Sequence, residues 1–429
     1  MFGFANFLLL ALFAAAVFDL IFALAMGGGL RGALHGLWNT PHLLFGQQLA
    51  EWRLQLGRIL FAAGLAAYEI SVVFCNSMAR QNWAWVQGVM SPVLEWLAFL
   101  CFGAKILFGT RYTWRELLAG GALYFVARWV YFNSQNIWWI GIVVAVLAAK
   151  DVPLRRPLQV YFASGCAAMA VVLALHFAGI VAPDLTSERM GALRGTYGYG
   201  HPNTFGGLVF GLVLAYALLR AQKVRWVDCL LVFAVGVFLL VGPASRSAAL
   251  CTLALAVGLV FCRLRAGHSV PRWWPGTCAG MVGLTAAVSY LLPLLVIKVG
   301  PWNNDIGPAW LAKLDSLLTC RISLTWMAYR LLDVKIAGQV FNWPTVDNSF
   351  AFALFQFGPV VAALLGILFA AALLGHAKQG RRVEVCCLFA MLAYAYMEVQ
   401  PFHLTTNPTA LLLCGAVFAQ TSARWQKIE

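Results

Sequence analysis

The stretch from Arg194 to Asn203 sets five chemically capable side chains into ten residues of an otherwise apolar chain: Arg194, Tyr197, Tyr199, His201 and Asn203. An arginine there offers a planar fork that matches paired anionic oxygens and never loses its charge. A histidine offers a proton acceptor that titrates near neutrality. Further polar clusters follow. Ser245-Arg246-Ser247 places an arginine at a helix start, and Arg321 lies in a long polar segment. Asp347-Asn348-Ser349 opens an apolar run, where spacing alone reads as a helix cap. Glu398, Gln400 and His403 lie between the last two runs, just before Asn407-Pro408. Arg194, Arg246 and Arg321, with two helix N-termini, would suit a pyrophosphate, because free N–H groups and the helix dipole attract anions. Arginine in place of a metal would neutralise a departing diphosphate. The sequence has no His-rich pair, no DxD and no cluster of acids beside these groups, so no metal and no cofactor is expected.

The elements that must hold these groups are membrane helices. Of 429 residues, 62% are hydrophobic and 11% charged. Soluble domains are about half apolar and about a quarter charged. Repeated apolar runs of roughly 18 residues mark an all-α, polytopic integral membrane protein. Expected spans lie near 4–26, 58–77, 91–109, 116–133, 135–149, 158–180, 203–220, 225–242, 247–262, 276–297, 347–374, 383–400 and 405–421, about 12–13 helices. Residues 27–57 suit an interfacial or re-entrant piece. Pro202 fits the first turn of its helix. Residues 309–337 carry apolar side chains at helical spacing among charges, as an amphipathic helix lying on a membrane surface does. The chain divides into N-terminal spans 1–180, a catalytic region 181–421 that includes outer loops 181–203 and 298–346, and a tail 422–429.

Charge sets the orientation. The net charge is +14, but no soluble basic domain is left to hold nucleic acid. Basic residues gather in Lys150/Arg155/Arg156, Arg220/Lys223/Arg225, Arg263/Arg265/Arg272, Lys378/Arg381/Arg382 and the tail Arg424/Lys427. On the expected spans all five groups share one side, which the positive-inside rule makes cytoplasmic. Every polar cluster named above then faces outward. The eleven cysteines mostly lie within apolar runs and read as packing residues.

Arg194…Gly-His201-Pro202-Asn203…Gly206, Ser245-Arg246-Ser247, Arg321 before Asp347-Asn348-Ser349, and Glu398 before Asn407-Pro408 together resemble the bacterial O-antigen ligase/polymerase superfamily, the Wzy-type glycosyltransferases. The likeness spans roughly 185–410 and is nearest to exopolysaccharide and capsule repeat-unit polymerases. It implies a GT-C-like fold in the bacterial cytoplasmic membrane. It also implies an undecaprenyl-pyrophosphate-linked oligosaccharide as donor, transfer to an acceptor sugar on the outer face without a metal, and arginines that hold the diphosphate. A flippase and a chain-length regulator would be partners. Ligases of this superfamily carry a histidine near the place of Asp347, which turns the expectation toward a polymerase.

On this reading Asp347, His201 and Glu398 compete for the acceptor's proton. His201 or Glu398 is preferred, with Asp347 orienting the hydroxyl, because a helix N-terminus weakens a carboxylate base. Tyr197, Tyr199, Asn203, Asn348 and His403 would orient the glycan or the loops. The alternatives are a glycan ligase of the same superfamily and a lipid-linked glycan flippase. A flippase would show internal repeats and a polar cavity at mid-membrane, and neither is visible in the sequence.

Overall fold

The computed structural model describes residues 2–25, 29–181, 187–189, 192–296 and 308–418. Arg424 and Lys427, and parts of the segments 181–203 and 298–346 expected to be outer loops, lie outside these residues. The described residues are predominantly helical, with two short antiparallel strand pairs among them. His42–Leu43 pairs with Arg111–Tyr112, and Ser187–Arg189 pairs with Ala192–Arg194.

Among the described residues, eight helices are long and apolar enough to cross a membrane: Gly3–Ala25, Ala50–Cys75, Val86–Phe108, Arg155–Phe177, Pro202–Leu219, Arg246–Leu264, Trp274–Leu295 and Pro359–Lys378. This is the composition of a multi-pass membrane protein. Ile137–Ala148, Trp226–Val241 and Pro408–Val417 are apolar but shorter. One hydrophobic cluster runs from Phe4 to Phe418 through both halves of the chain, so the division near residue 180 does not separate two cores.

Four expected elements differ. The span expected over 347–374 is broken. A turn at Ser349–Phe352 and a wide turn at Ala353–Phe357 precede Pro359–Lys378, and Gly358 between them has φ 88°. A side chain on Gly358 would overlap the Ile336 carbonyl, so the chain that follows the 308–348 segment crosses against bare backbone here. The amphipathic helix expected over 309–337 is two helices, Ala309–Leu317 and Arg321–Leu331. Thr319 and Cys320 take left-handed φ of 58° and 64° between them. Buried Asp315 caps the second helix, accepting from Ile322 N at 2.7 Å, Ser323 N at 3.2 Å and Ser323 Oγ at 2.8 Å. The last expected span opens as a 3₁₀ segment, Pro408–Leu413, with Asn407 Oδ1 accepting from Ala410 N at 3.1 Å. Finally, the span expected to start at 58 begins at Ala50, after an amphipathic helix Gly29–Asn39.

Three helices fix the site. Pro202–Leu219, Arg246–Leu264 and Arg382–Met397 pack on one another. Each has one end at the polar clusters (His201, Ser245, Glu398) and the other at a basic turn (Arg220, Arg265, Arg381). At 1.5 Å per residue they are about 24–28 Å long, close to the hydrocarbon thickness of a bilayer. For these three helices the polar clusters and the basic turns therefore lie at opposite ends, in agreement with that part of the charge pattern.

Candidate active site

The site begins with the close approach of two segments. Side chains on Gly206 and Gly207, in the first turns of Pro202–Leu219, would overlap Ser245 and Gln400. With hydrogen there instead, the starts of Pro202–Leu219 and Arg246–Leu264 meet the chain that leaves Arg382–Met397. Gln400 closes this junction. Its Nε2 donates to Asn203 O at 3.2 Å, and its Oε1 accepts from Tyr394 OH at 2.9 Å.

Glu398 stands at the centre, 5% exposed at the end of Arg382–Met397. One carboxylate oxygen, Oε1, accepts three hydrogen bonds: from Ser247 Oγ at 2.8 Å, Asn203 Nδ2 at 3.0 Å and Arg321 Nη2 at 3.0 Å. Oε2 accepts none from any described residue. Burial pushes the Glu398 carboxyl above the usual carboxylate range. The nearby Arg321 charge opposes that rise, and Asp347 adds to it.

The network extends on both sides of Glu398. Arg321 also donates from Nε to Met397 O at 2.9 Å and from Nη1 to Thr319 O at 3.2 Å, and it pairs with Asp347 Oδ2 at 3.3 Å. On the other side Asn203 Oδ1 accepts from Arg194 Nη2 at 2.9 Å. A continuous chain, Arg194–Asn203–Glu398–Arg321–Asp347, thus joins four of the sequence clusters. Its formal charges, two arginines and two carboxylates, cancel.

The arginines play unlike parts. Arg194, expected to bind diphosphate, turns inward. It is 7% exposed, and besides Asn203 it donates to Pro243 O at 3.4 Å and Ala244 O at 3.1 Å. It fastens the turn before Arg246–Leu264. Arg246, in contrast, is exposed at the first residue of that helix and makes no hydrogen bond or ion pair with the described residues. Its positive charge is the one the network leaves over.

The orienting residues also separate. His201 is exposed and caps Pro202–Leu219, its Nδ1 accepting from Asn203 N at 3.1 Å. In the neutral ring that contact puts the proton on Nε2, which is then a donor, so the expected role of His201 as proton acceptor is disfavoured. Tyr197, at φ 52°, stacks on Phe205 with centroids 5.0 Å apart and orients the loop. Tyr199 is fully buried and shapes the loop from within, out of reach of a glycan. Asn348, rather than Asp347, caps the helical turn, accepting from Phe350 N at 2.9 Å and Ala351 N at 3.2 Å. His403 lies against Trp138 with centroids 3.7 Å apart, and burial lowers its pKa to about 3. It does not join the network and stays neutral at ordinary pH.

Sequence reasoning assigned no role to Ser247, Ser349 or Gln400. Ser349 Oγ donates to Glu398 O at 2.6 Å. The partners of Ser247 and Ser349 are 151 and 49 residues away, and no local pattern announces them.

Compared with protein-family models, curated proteins and solved structures, the chain matches none of them.

Proposed function

We propose that this protein polymerises lipid-linked oligosaccharide repeat units for a surface polysaccharide, as a metal-independent glycosyltransferase of GT-C-like fold. The donor would be a glycan on undecaprenyl pyrophosphate, and the reaction would face the exterior of a bacterial cytoplasmic membrane. The reading rests on the sequence resemblance. Its main structural support is Glu398, a buried carboxylate with one oxygen anchored by three donors and the other left open, beside cations and far from the basic turns.

In the proposed reaction an acceptor hydroxyl attacks the anomeric carbon of the donor sugar. The new C–O bond forms as the bond from that carbon to the diphosphate oxygen breaks, and the pair of electrons leaves with the diphosphate. The hydroxyl proton passes to Glu398 Oε2, whose pKa is moved toward neutrality as a general base requires. Arg246 meets the leaving diphosphate. Arg321 holds Glu398 and can turn its Nη1 from the partly exposed Asp347 to a phosphate oxygen. Asp347 orients the acceptor hydroxyl.

The test is purified protein in liposomes with a polyprenyl-diphosphate-linked repeat unit. Lengthening of the glycan, lost by about 10²–10⁴-fold in Glu398→Gln, is the expected result. Transfer to a different acceptor without lengthening would favour a ligase. Movement of the lipid across the bilayer with no new glycosidic bond would replace the proposal with a flippase.

A further inference from the structure

The opposite end of the same helices holds a second cluster that the transfer reaction does not use. The turns 220–225, 263–267 and 380–384 enclose a cavity of about 420 Å³ lined by Lys223, Arg263, Arg381 and Arg382, with Glu384 as its one acid. Each basic turn alone is what the positive-inside rule requires, and a solvated cation needs no further reason. Their convergence is different. Cations from three separate turns are drawn into one concavity, where they repel one another. Its apolar wall includes Val224, Cys262 and Val383, which are buried, and such walls focus the field of the charges.

The guanidinium of Arg382 is already engaged. It donates to Arg265 O at 2.6 Å, to Ser269 O at 3.4 Å and to His268 O, and so ties two of the turns together. The side chains of Lys223, Arg263 and Arg381 make no hydrogen bond or ion pair with the described residues. Three unpaired cations therefore face one buried acid, and the start of Arg382–Met397 turns its dipole's positive end into the same space. Arg381 also lines an adjoining cavity of about 240 Å³ that carries Lys378 and Gln379, which extends the positive surface along the membrane face.

We propose that this cavity is a binding site for a phosphate-bearing anion at the membrane face opposite the transfer site, with Arg263 and Arg381 as its principal ligands. Fork-shaped donors from two sides fit the oxygens of a phosphate mono- or diester, and basic pockets between membrane helices suit acidic lipid head groups. A lipid phosphodiester and a free phosphate share this chemistry. The site does not depend on the glycosyl-transfer reading, and its test needs no turnover.

Full-length protein in neutral detergent would be titrated with phosphatidylglycerol, phosphatidylcholine and inorganic phosphate, with bound ligand counted by native mass spectrometry. Phosphatidylglycerol is expected to bind at least about tenfold more tightly than phosphatidylcholine, and Arg263→Gln/Arg381→Gln is expected to lose about tenfold or more of that affinity. Arg155→Gln/Arg156→Gln, which removes two exposed charges on the same face but outside the cavity, is expected to keep it. Competition by millimolar inorganic phosphate would identify a soluble phosphate as the ligand, and its failure to compete would identify the lipid. Equal loss in the two double variants, or no preference for phosphatidylglycerol with no phosphate bound, overturns the proposal. Should the double variant not be monodisperse, Arg263→Gln alone, at an exposed position, is read the same way with a smaller loss.

Discussion

Removing Arg321 while Glu398 stays in place is the most informative perturbation. Glu398 is 5% exposed, and Arg321 supplies its one ion pair among the described residues, at 3.0 Å. Breaking a buried pair by deleting one partner costs about 3–5 kcal/mol, since a charge is left in low dielectric. Arg321→Met also removes donors from Met397 O and Thr319 O. Glu398→Gln is milder, at about 1–2 kcal/mol, because its amide oxygen can take the place of Oε1 and accept from Asn203 and Ser247. Arg321 then keeps Asp347. In the double variant no buried charge is stranded, and partly exposed Asp347 loses its partner equally in the Arg321→Met single variant, so the loss is expected to fall short of the sum by about 2 kcal/mol. By the unfolding entropy of folded chains, 429 residues convert 1 kcal/mol into about 1 °C of midpoint, so the four proteins are to be compared by tryptophan fluorescence on heating in detergent. The deficit also carries a pH signature. Burial raises the Glu398 pKa in the folded state, and losing Arg321 raises it further. The folded protein then holds a proton that the unfolded chain releases near pH 4.3, so stability falls as pH rises from there through the folded pKa. Arg321→Met is expected to be more impaired at pH 8 than at pH 5, and in the Glu398→Gln background that difference is expected to vanish. Additivity within about 0.5 kcal/mol at both pH values would refute the coupling.

Arg246→Ala is expected to keep stability within about 0.5 kcal/mol of the parent, because the side chain is exposed and unpaired among the described residues, yet to abolish polymer in a complementation assay. Arg194→Ala is expected to lose stability as well, by about 2 kcal/mol or more, from the Asn203, Pro243 and Ala244 acceptors it leaves behind. With Glu398 as proton acceptor, transfer is expected to fall on the acid side at a pH above the ordinary carboxylate range. His403, held at about 3, is expected to add no second limb, which a His403→Gln pH–rate profile checks. Asp315→Ala strips three hydrogen bonds from the start of Arg321–Leu331 and is expected to cost about 1–2 kcal/mol, seen as faster amide exchange over 321–331. Gly358→Ala forces a side chain onto backbone at φ 88° and is expected to abolish accumulation of folded protein in the membrane, as scored by fluorescence-detected size exclusion.

The sequence made the membrane-helix class legible because lipid leaves a chain few options: apolar length and flanking charge are both local. It also marked the residues that meet in the network, because a guanidinium or carboxylate is conspicuous among Leu, Val and Phe. Partner choice was not legible. Arg194, Arg246 and Arg321 looked alike in the sequence, yet the fold spends the first on backbone carbonyls, divides the third between two acids and leaves the second open. His201 seemed the better base by its intrinsic pKa, but the main-chain N–H of Asn203 occupies the nitrogen it would use. Helix breaks were missed where the cause lay elsewhere in the chain, as with the Ile336 carbonyl against Gly358.

The shared ends of Pro202–Leu219, Arg246–Leu264 and Arg382–Met397 constrain how such a protein can drift. Each residue of a helix advances its direction by about 100°. One residue gained or lost inside any of these three would swing His201, Ser247 or Glu398 away from the others while leaving the helix as greasy as before. Length changes should therefore be confined to the long segment before Gly358 and to the turns, and the middle of these helices can vary in side chain but not in count.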